Sequence, residues 1–436
     1  MLYYSTRNKN TPFTLSEAIT LGLAPDGGLF MPDTFPQVDI SRINKNLNYA
    51  EFAHHILKDF FIGDNLEKDL AGICDRAFHF PVPLIKLNDE INILELFHGP
   101  TLSFKDFGAS FLAECLNILA GKHKITIMVA TSGDTGSAVA NAFYHKDKVN
   151  VVVLYPEGLV SKRQEQQITC YDDNVIALKV DGSFDDCQKI VKDAFADNWW
   201  QSTMHVSSAN SINLGRLLPQ VTYYAYTSFH EHLKTGKKVN FVVPTGNLGN
   251  ATAAYFAREM GFPIDKIVLA TNANHVISNF LDTGEFKPQP SISTLANAMD
   301  VGNPSNFERL HNLYSNFDDF KHNVSAYSIT DQQITVTIKE IYDKYDMIIC
   351  PHTATGIFTL EQIQTLKNLD YNDNTWIAVA TAHPSKFESI IEPTLGIKLP
   401  VPPQLAKILN GHSKFIPVAA NLSGVKLAVQ DYFASK

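Results

Sequence analysis

The stretch "LFHGPTLSFKDFGASF" (96–111) sets Lys105 between Phe104 and Phe107, with Leu102 just upstream. A lysine amine must be neutral to attack a carbonyl, and an apolar setting lowers its pKa toward that state. Lys105 stands just before a helix, whose N-terminus disfavours a cation in the same sense. The plain structural alternative is a snorkelling lysine whose stem packs on the two rings. Weight moves toward chemistry because three other loops are chemically unusual. "ATSGDTGSA" (130–138) crowds hydroxyls, glycines and Asp134 at a helix start, more than a simple cap needs. "VPTGNLGNATAAYFA" (243–257) brackets Asn247 and Leu248 between Gly246 and Gly249 ahead of a helix. "VATAHPSKF" (379–387) offers the hydroxyl of Thr381, then His383 and Pro384, although such a hydroxyl can serve local backbone alone.

These loops need a scaffold that presents them together. "KITIMVA" (124–130), "NVVVLY" (150–155), "VNFVV", "KIVLAT" and "WIAVA" are short apolar runs that read as buried strands. Helical segments such as "GSAVANAFYH" and "NATAAYFAREMG" separate them. Alternation of this kind predicts α/β units built on mostly parallel sheets covered on both faces. Ligands of such sheets bind beyond the carboxyl ends of the strands, where all three loops lie. The first 95 residues read instead as a mainly helical N-terminal region. Thr14 or Ser16 caps one helix, "PDGGLFMPD" is a turn, and "NYAEFAHHILKDFF" is a second helix. The expected division is 1–95, an α/β part over 96–235 with the lysine, and an α/β part over 236–436 with the glycine loop. The glycine loop lacks GK[ST] and GxGxxG, so neither familiar nucleotide loop fits, yet a helix start with free amides cradles phosphate. A lysine nucleophile paired with a phosphate cradle points to pyridoxal phosphate, held by Lys105 at one end and the glycine loop at the other.

Composition narrows the field further. The 436 residues are 45% hydrophobic and 19% charged, an ordinary globular mixture with material for more than one core. A net charge of −9 argues against coating nucleic acid or anionic lipid. The five cysteines are scattered without a CxxC pair, which suggests neither a disulfide framework nor a zinc knuckle, so no metal is expected. His54 and His55, like "HEH" at 230–232, read as helix-surface residues, and HExxH is absent. No apolar run approaches membrane-spanning length and "MLYYSTRNKNTPF" lacks an apolar signal region, so a cytoplasmic protein with no obligate protein partner is expected.

"HGPTLSFKDFGASF" resembles the lysine segment of threonine synthases, pyridoxal-phosphate enzymes of fold type II in the tryptophan-synthase-β group. "GLAPDGGLFMP", upstream of it, resembles that family's N-terminal signature, and "ATSGDTGSA", "SSANSINLGRLLPQ", "PTGNLGNATAAYFA" and "TAHPSKF" follow in the family's order along the chain. The resemblance implies two open, twisted, mostly parallel-sheet domains with the cofactor between them. It also implies a lyase of threonine biosynthesis that converts O-phospho-L-homoserine and water to L-threonine and phosphate.

Roles follow from the resemblance position by position. Lys105 would bind the cofactor covalently and later act as general base. Gly246, Asn247, Leu248, Gly249 and Asn250 would hold its phosphate through backbone amides and the asparagine side chains, and Thr381 would face its pyridine nitrogen. Ser132, Gly133 and Thr135 would lie by the amino-acid carboxylate. Asp134 would repel that carboxylate, so it is assigned to the cofactor's O3′. Asn210 and Arg216 would hold the substrate phosphate, with Lys162 and Arg163 in reserve. Leu248 departs from the phenylalanine of many relatives, without consequence for a backbone donor. A related fold type II enzyme, such as a serine/threonine dehydratase, is the alternative. Such an enzyme needs no second phosphate grip, so Arg216 and "PDGGLFMP" discriminate against it.

Overall fold

The computed structural model describes residues 1–121, 123–131, 133–366 and 372–434. The chain starts with strands β1 (Tyr3–Ser5) and β2 (Phe30–Pro32), which pair antiparallel around helix α1 (Leu15–Leu21). Thr14 caps α1 in a reciprocal box with Glu17, which settles the choice between Thr14 and Ser16. Helix α2 (Tyr49–Leu57) is capped the same way by Asn48 and Glu51, and α3 (Leu70–Ala77) follows. The N-terminal region is therefore mainly helical, with a small sheet that anchors it: Tyr3 Oη donates to Phe60 O at 2.8 Å.

Strands β3 (Leu84–Lys86) and β4 (Ile91–Glu95) come next, then α4 (Lys105–Leu119), β5 (Ile125–Ala130), α5 (Asp134–Phe143) and β6 (Val149–Pro156). After them run α6 (Lys162–Thr169), β7 (Val175–Asp181), α7 (Phe184–Ala196), β8 (Val206–Ser208), α8 (Leu214–Thr235), β9 (Val239–Pro244) and α9 (Gly249–Glu259). Strands β10 (Ile264–Thr271), β11 (Ser325–Ser328), β12 (Thr375–Ala380) and β13 (Ile416–Ala419) complete the sheets. Every residue of β5, β6 and β9 is buried, the pattern of parallel strands covered on both faces.

Among the described residues one sheet has the order β13-β7-β6-β5-β8 and is wholly parallel. The other has the order β11-β10-β9-β12-β4-β3, parallel except for β3 at its edge. Both draw on distant chain segments. β3 and β4, before residue 96, join the sheet of β9 and β12, while β13, near the C-terminus, extends the sheet of β5 to β7.

The strand orders explain where the chemistry gathers. In the smaller sheet the chain runs outward from β5 through β6 to β7, then returns to the other side of β5 as β8. In the larger sheet it runs outward from β9 through β10 to β11, and returns beside β9 as β12. Each reversal opens a crevice beyond the strand ends. The segments leaving β5, β8, β9 and β12 are "TSGDTG", "ANSINLGR", "TGNLGN" and "TAHPSK". Lys105 follows β4, the strand beside β12.

Candidate active site

A cavity of about 1110 Å³ lies between the two sheets. Lys105, Asp134, Thr135, Asn210, Arg216, Thr381 and the whole run Gly246 to Asn250 line it. Ser132 lies outside the described residues. Gly133 does not line the cavity. Its φ is +138°, and a Cβ there would stand 2.5 Å from Gln164 Nε2, so its glycine identity serves the turn into α5.

Lys105 is the first residue of α4. The loop before it is zipped to the residues leaving β12: Leu96 N donates to Ala380 O at 2.9 Å, Phe104 N to Thr381 O at 2.8 Å, and His383 N to Leu102 O at 3.0 Å. This fastening fixes Lys105 and Thr381 relative to one another. Leu102 is held at φ +60°, an uncommon conformation for a bulky side chain. Gly99 makes room for the buried Asp106, whose Oδ2 would stand 2.4 Å from a Cβ at that position. Asp106 accepts from Thr101 N at 2.9 Å and Thr101 Oγ1 at 2.5 Å, yet burial pushes its carboxyl up to about 6.

The Lys105 side chain is 13% exposed, and its Nζ lies 5.0 Å from the Phe104 ring centre. Burial lowers its pKa to about 8; Asp134 opposes the shift, while Lys386 and Arg216 add to it. Asp134 accepts from Lys386 Nζ at 2.8 Å and Gln164 Nε2 at 3.0 Å, while Lys105 Nζ stands 3.8 Å away. Burial works against the charged Asp134 carboxylate, but Lys386 and Lys105 outweigh it and hold its pKa well below the usual carboxylate range. The charge conflict inferred for Asp134 is thus met within the protein.

The glycine loop is shaped for an anion. A Cβ at Gly246 would lie 2.7 Å from the Met299 backbone, so no larger residue fits without displacing it. Leu248, at φ +62°, turns the chain into α9, whose first amides open onto the cavity. Asn250 Oδ1 accepts from Tyr223 Oη at 2.5 Å and Tyr224 Oη at 2.9 Å, which leaves its buried Nδ2 as an unfilled donor. Amides at a helix start, a glycine that admits no side chain and an orphaned donor fit a phosphate group, and with Lys105 they fit pyridoxal phosphate.

The Asn247 side chain also has partners within the protein. Its Nδ2 donates to Ser211 Oγ at 2.7 Å and its Oδ1 accepts from Ser305 N at 2.6 Å. That side chain ties neighbouring loops together and commits one of its two amide N–H groups to Ser211.

Arg216 is buried and lines the cavity. Its Nη1 donates to Ala209 O, its Nε has no partner, and it forms no ion pair among the described residues. Burial lowers its pKa to about 10, opposed by the Asp106 carboxylate at longer range, and it remains a cation with no direct ion pair among the described residues. The reserve candidates Lys162 and Arg163 do not line the cavity; Arg163 donates to Ser385 O and lies 3.6 Å from Glu388.

Several site residues had no reading in the sequence. His352 lines the cavity, and its Nε2 accepts from Ala298 N at 3.1 Å, which puts its proton on Nδ1. Burial lowers its pKa to about 4, so it is neutral. Thr6 and Arg7 reach the rim from the N-terminal region, where Arg7 makes two hydrogen bonds of 2.9 Å to Glu308. Arg309 is buried behind the rim. None of these carries a motif; Lys386 stood inside a motif whose local setting gave it no role.

Three family models cover the chain in succession: "Threonine synthase N terminus" over 2–78, "Pyridoxal-phosphate dependent enzyme" over 79–381 and "Threonine synthase, C-terminal" over 353–429. The threonine synthase of Haemophilus influenzae is 39% identical over 409 residues, covering 93% of this chain and 94% of that protein. The crystal structure of threonine synthase from Escherichia coli superposes with a TM-score of 0.90 at 33% identity, covering 99% of this chain and 100% of the other. A pyridoxal-phosphate-bound threonine synthase from Brucella melitensis gives 0.91 at 31% identity, covering 99% of each chain. Among the described residues no helix is long and apolar enough to cross a membrane, and no cluster of three or more His, Cys, Asp or Glu could hold a metal. On these matches over nearly its whole length, the chain belongs to the threonine synthase family of pyridoxal-phosphate-dependent enzymes.

Proposed function

We propose that this protein converts O-phospho-L-homoserine and water to L-threonine and phosphate. The observation that carries the reading is one cavity holding a lysine of lowered pKa, an anion cradle and a second, unpaired cation, Arg216. A substrate that carries its own phosphate needs two anion sites, one for itself and one for the cofactor. A dehydratase acting on unphosphorylated serine or threonine leaves Arg216 without a purpose.

Lys105 would hold the cofactor, with its phosphate on the amides of Gly246, Asn247, Leu248, Gly249 and Asn250 and the side chain of Asn250. Thr381 would serve the ring nitrogen and Asp134 the 3′-hydroxyl. When bound, pyridoxal phosphate supplies an electron sink that acidifies the substrate's Cα and Cβ protons. The chain's own work is positioning and proton movement. Lys105 would take a proton from Cα and one from Cβ as the Cγ–O bond breaks and phosphate leaves with that electron pair, and would return a proton to Cγ; water then adds its hydroxyl at Cβ, and a proton returns to Cα to give threonine. A pKa of about 8 leaves about one amine in ten neutral at pH 7, against about three in ten thousand for an ordinary lysine. Arg216 and Asn210 hold the substrate phosphate, and a guanidinium there is worth most as charge develops on the departing oxygen. Ser132 and Thr135 are kept for the substrate carboxylate. A cytoplasmic location and the absence of an obligate protein partner belong to the same reading.

The test is equimolar formation of threonine and phosphate from O-phospho-L-homoserine by the purified protein. Release of 2-oxobutyrate from threonine, without phosphate chemistry, would favour the dehydratase. Lys105→Ala should abolish both threonine formation and covalent cofactor attachment. Borohydride reduction and peptide mapping of the wild type should label Lys105; a label on another lysine overturns the assignment.

A further inference from the structure

Lys386 is a second buried lysine at the site, and the proposed chemistry gives it no task. Its side chain is 0% exposed, it does not line the cavity, and it belongs to the short turn Pro384–Lys386 that leaves β12. Its Nζ donates to Thr101 O at 2.8 Å and to Asp134 Oδ1 at 2.8 Å. The first contact ties it to the loop that carries Lys105, the second to the start of α5. The other oxygen of the same carboxylate stands 3.8 Å from Lys105 Nζ, beyond hydrogen-bond reach. One carboxylate therefore lies between two ammonium-bearing chains, in contact with one and not the other.

A buried carboxylate must be paired. If its only cation were Lys105, the two would close into a salt bridge and the reactive amine would stay protonated. We propose that Lys386 is the resident counter-ion of Asp134, a positioning residue that occupies the carboxylate and so leaves the Lys105 amine free to react. The inference rests on the reading of Lys105 as the reactive amine and deepens it. The charged and titratable groups facing Lys105 fall into two opposing pairs. Asp134 on α5 favours its protonated form, as does Asp106 on its own helix. Lys386 and Arg216 on α8 disfavour it. His352, from the helix Pro351–Leu366, is neutral and adds no fixed charge. Removal of Lys386 deletes one of the two opposing cations and also frees Asp134 to pair with Lys105.

The test is competitive labelling of the full chain freed of cofactor. Trace acetic anhydride across pH 6–11 is followed by peptide mapping, which reads the midpoint of each lysine without any turnover. In the wild type Lys105 should titrate well below the surface lysines. Lys386→Met should raise its midpoint and slow its labelling at pH 7.5 at least tenfold. Lys386→Arg should keep it within threefold of wild type. Asp134→Asn should move the midpoint down, since the carboxylate is gone and Lys386 remains. The double variant D134N/K386M, with neither charge, should label as fast as wild type or faster. A methionine variant with an unchanged Lys105 profile overturns the proposal. Should that variant fail to fold, an Asp134→Asn midpoint that rises or stays put overturns it equally. A wild-type Lys105 that titrates with the surface lysines would instead refute the reading of Lys105 itself, which separates the two failures.

Discussion

Arg309, on the helix Phe307–Leu313 behind the cavity rim, and Arg216, on the first turn of α8, are both buried, and neither has an ion-pair partner among the described residues. Their donors are treated in opposite ways. Arg309 gives Nε to Phe30 O at 3.1 Å and Nη2 to Ile212 O at 2.6 Å, and shares Nη1 between Asn306 Oδ1 at 2.6 Å and Ser211 O at 3.3 Å. In one side chain it joins β2, the segment after β8 and, through Asn306, the glycine loop, since Asn306 Nδ2 donates to Asn247 O at 3.0 Å. Arg216 has a single protein acceptor, an orphaned Nε and a face on the cavity. Burial depresses both, to about 9 and about 10. Charge and burial alone therefore do not separate a clamp from a receptor. The count of satisfied donors does, because a guanidinium surrounded by carbonyls has no capacity left for a ligand.

Four measurements sharpen or break that contrast. Arg309→Ala should have the largest effect on the fold, about 3–5 kcal/mol lost, because it strands several buried carbonyls and unties three segments. Chemical denaturation reads it, and the loss should appear with or without cofactor. A loss below about 1 kcal/mol would remove Arg309 from the role of clamp. Arg216→Ala should leave unfolding and cofactor affinity near wild type but lower kcat/KM for O-phospho-L-homoserine by about 2–5 kcal/mol in transition-state terms. Lysine at that position should rescue only in part, having no planar fork. Wild-type turnover by the alanine variant would make Arg216 structural, like Arg309.

The third measurement uses the neighbour that gives Arg216 its room. A Cβ at Gly108 on α4 would stand 2.8 Å from Arg216 Nε and 2.7 Å from its carbonyl oxygen. Alanine is the better helix former by about 0.8–1 kcal/mol, so an unobstructed glycine would gain by the change. Here overpacking should reverse the sign, with Gly108→Ala costing about 1–3 kcal/mol in stability and moving Arg216 enough to raise KM. A stabilised variant with unchanged kinetics would show that the backbone gives way easily. The smallest effect concerns free phosphate. With the cofactor loaded and the cradle filled, inorganic phosphate at ten times its Kd should stabilise the wild type by about 1.4 kcal/mol, raising its Tm, and should leave Arg216→Ala unmoved. Equal protection of both would locate the second anion elsewhere.

Much of the site was legible because its signals are local. Phe104 and Phe107 beside Lys105 foretold a depressed amine, and burial is indeed the leading cause of its shift to about 8. The glycine loop announced a helix start with free amides, and the steric reason for Gly246 lies in Met299, to which nothing in "PTGNLG" refers. For Asn247 a side chain's partner depends on what folds against it: Ser211 and Ser305, both distant in sequence, bond its amide group. Arg216 was assigned to a phosphate by family resemblance, while its want of a direct ion pair among the described residues could be seen only once the surrounding helices were packed.

Local chemistry in the sequence determined the elements themselves. Unbroken apolar runs made buried strands, Thr14 and Glu17 made a cap, and the hydroxyl- and glycine-rich segments made strand-end loops, because each depends on residues a few positions apart. Tertiary structure alone decided which loops meet. The strand orders return β8 to β5 and β12 to β9, and the closure brings Lys386 to Thr101, 285 residues away along the chain, and to Asp134. A charge has no pKa and a donor no partner until that closure is made, since desolvation and pairing are properties of the packed interior.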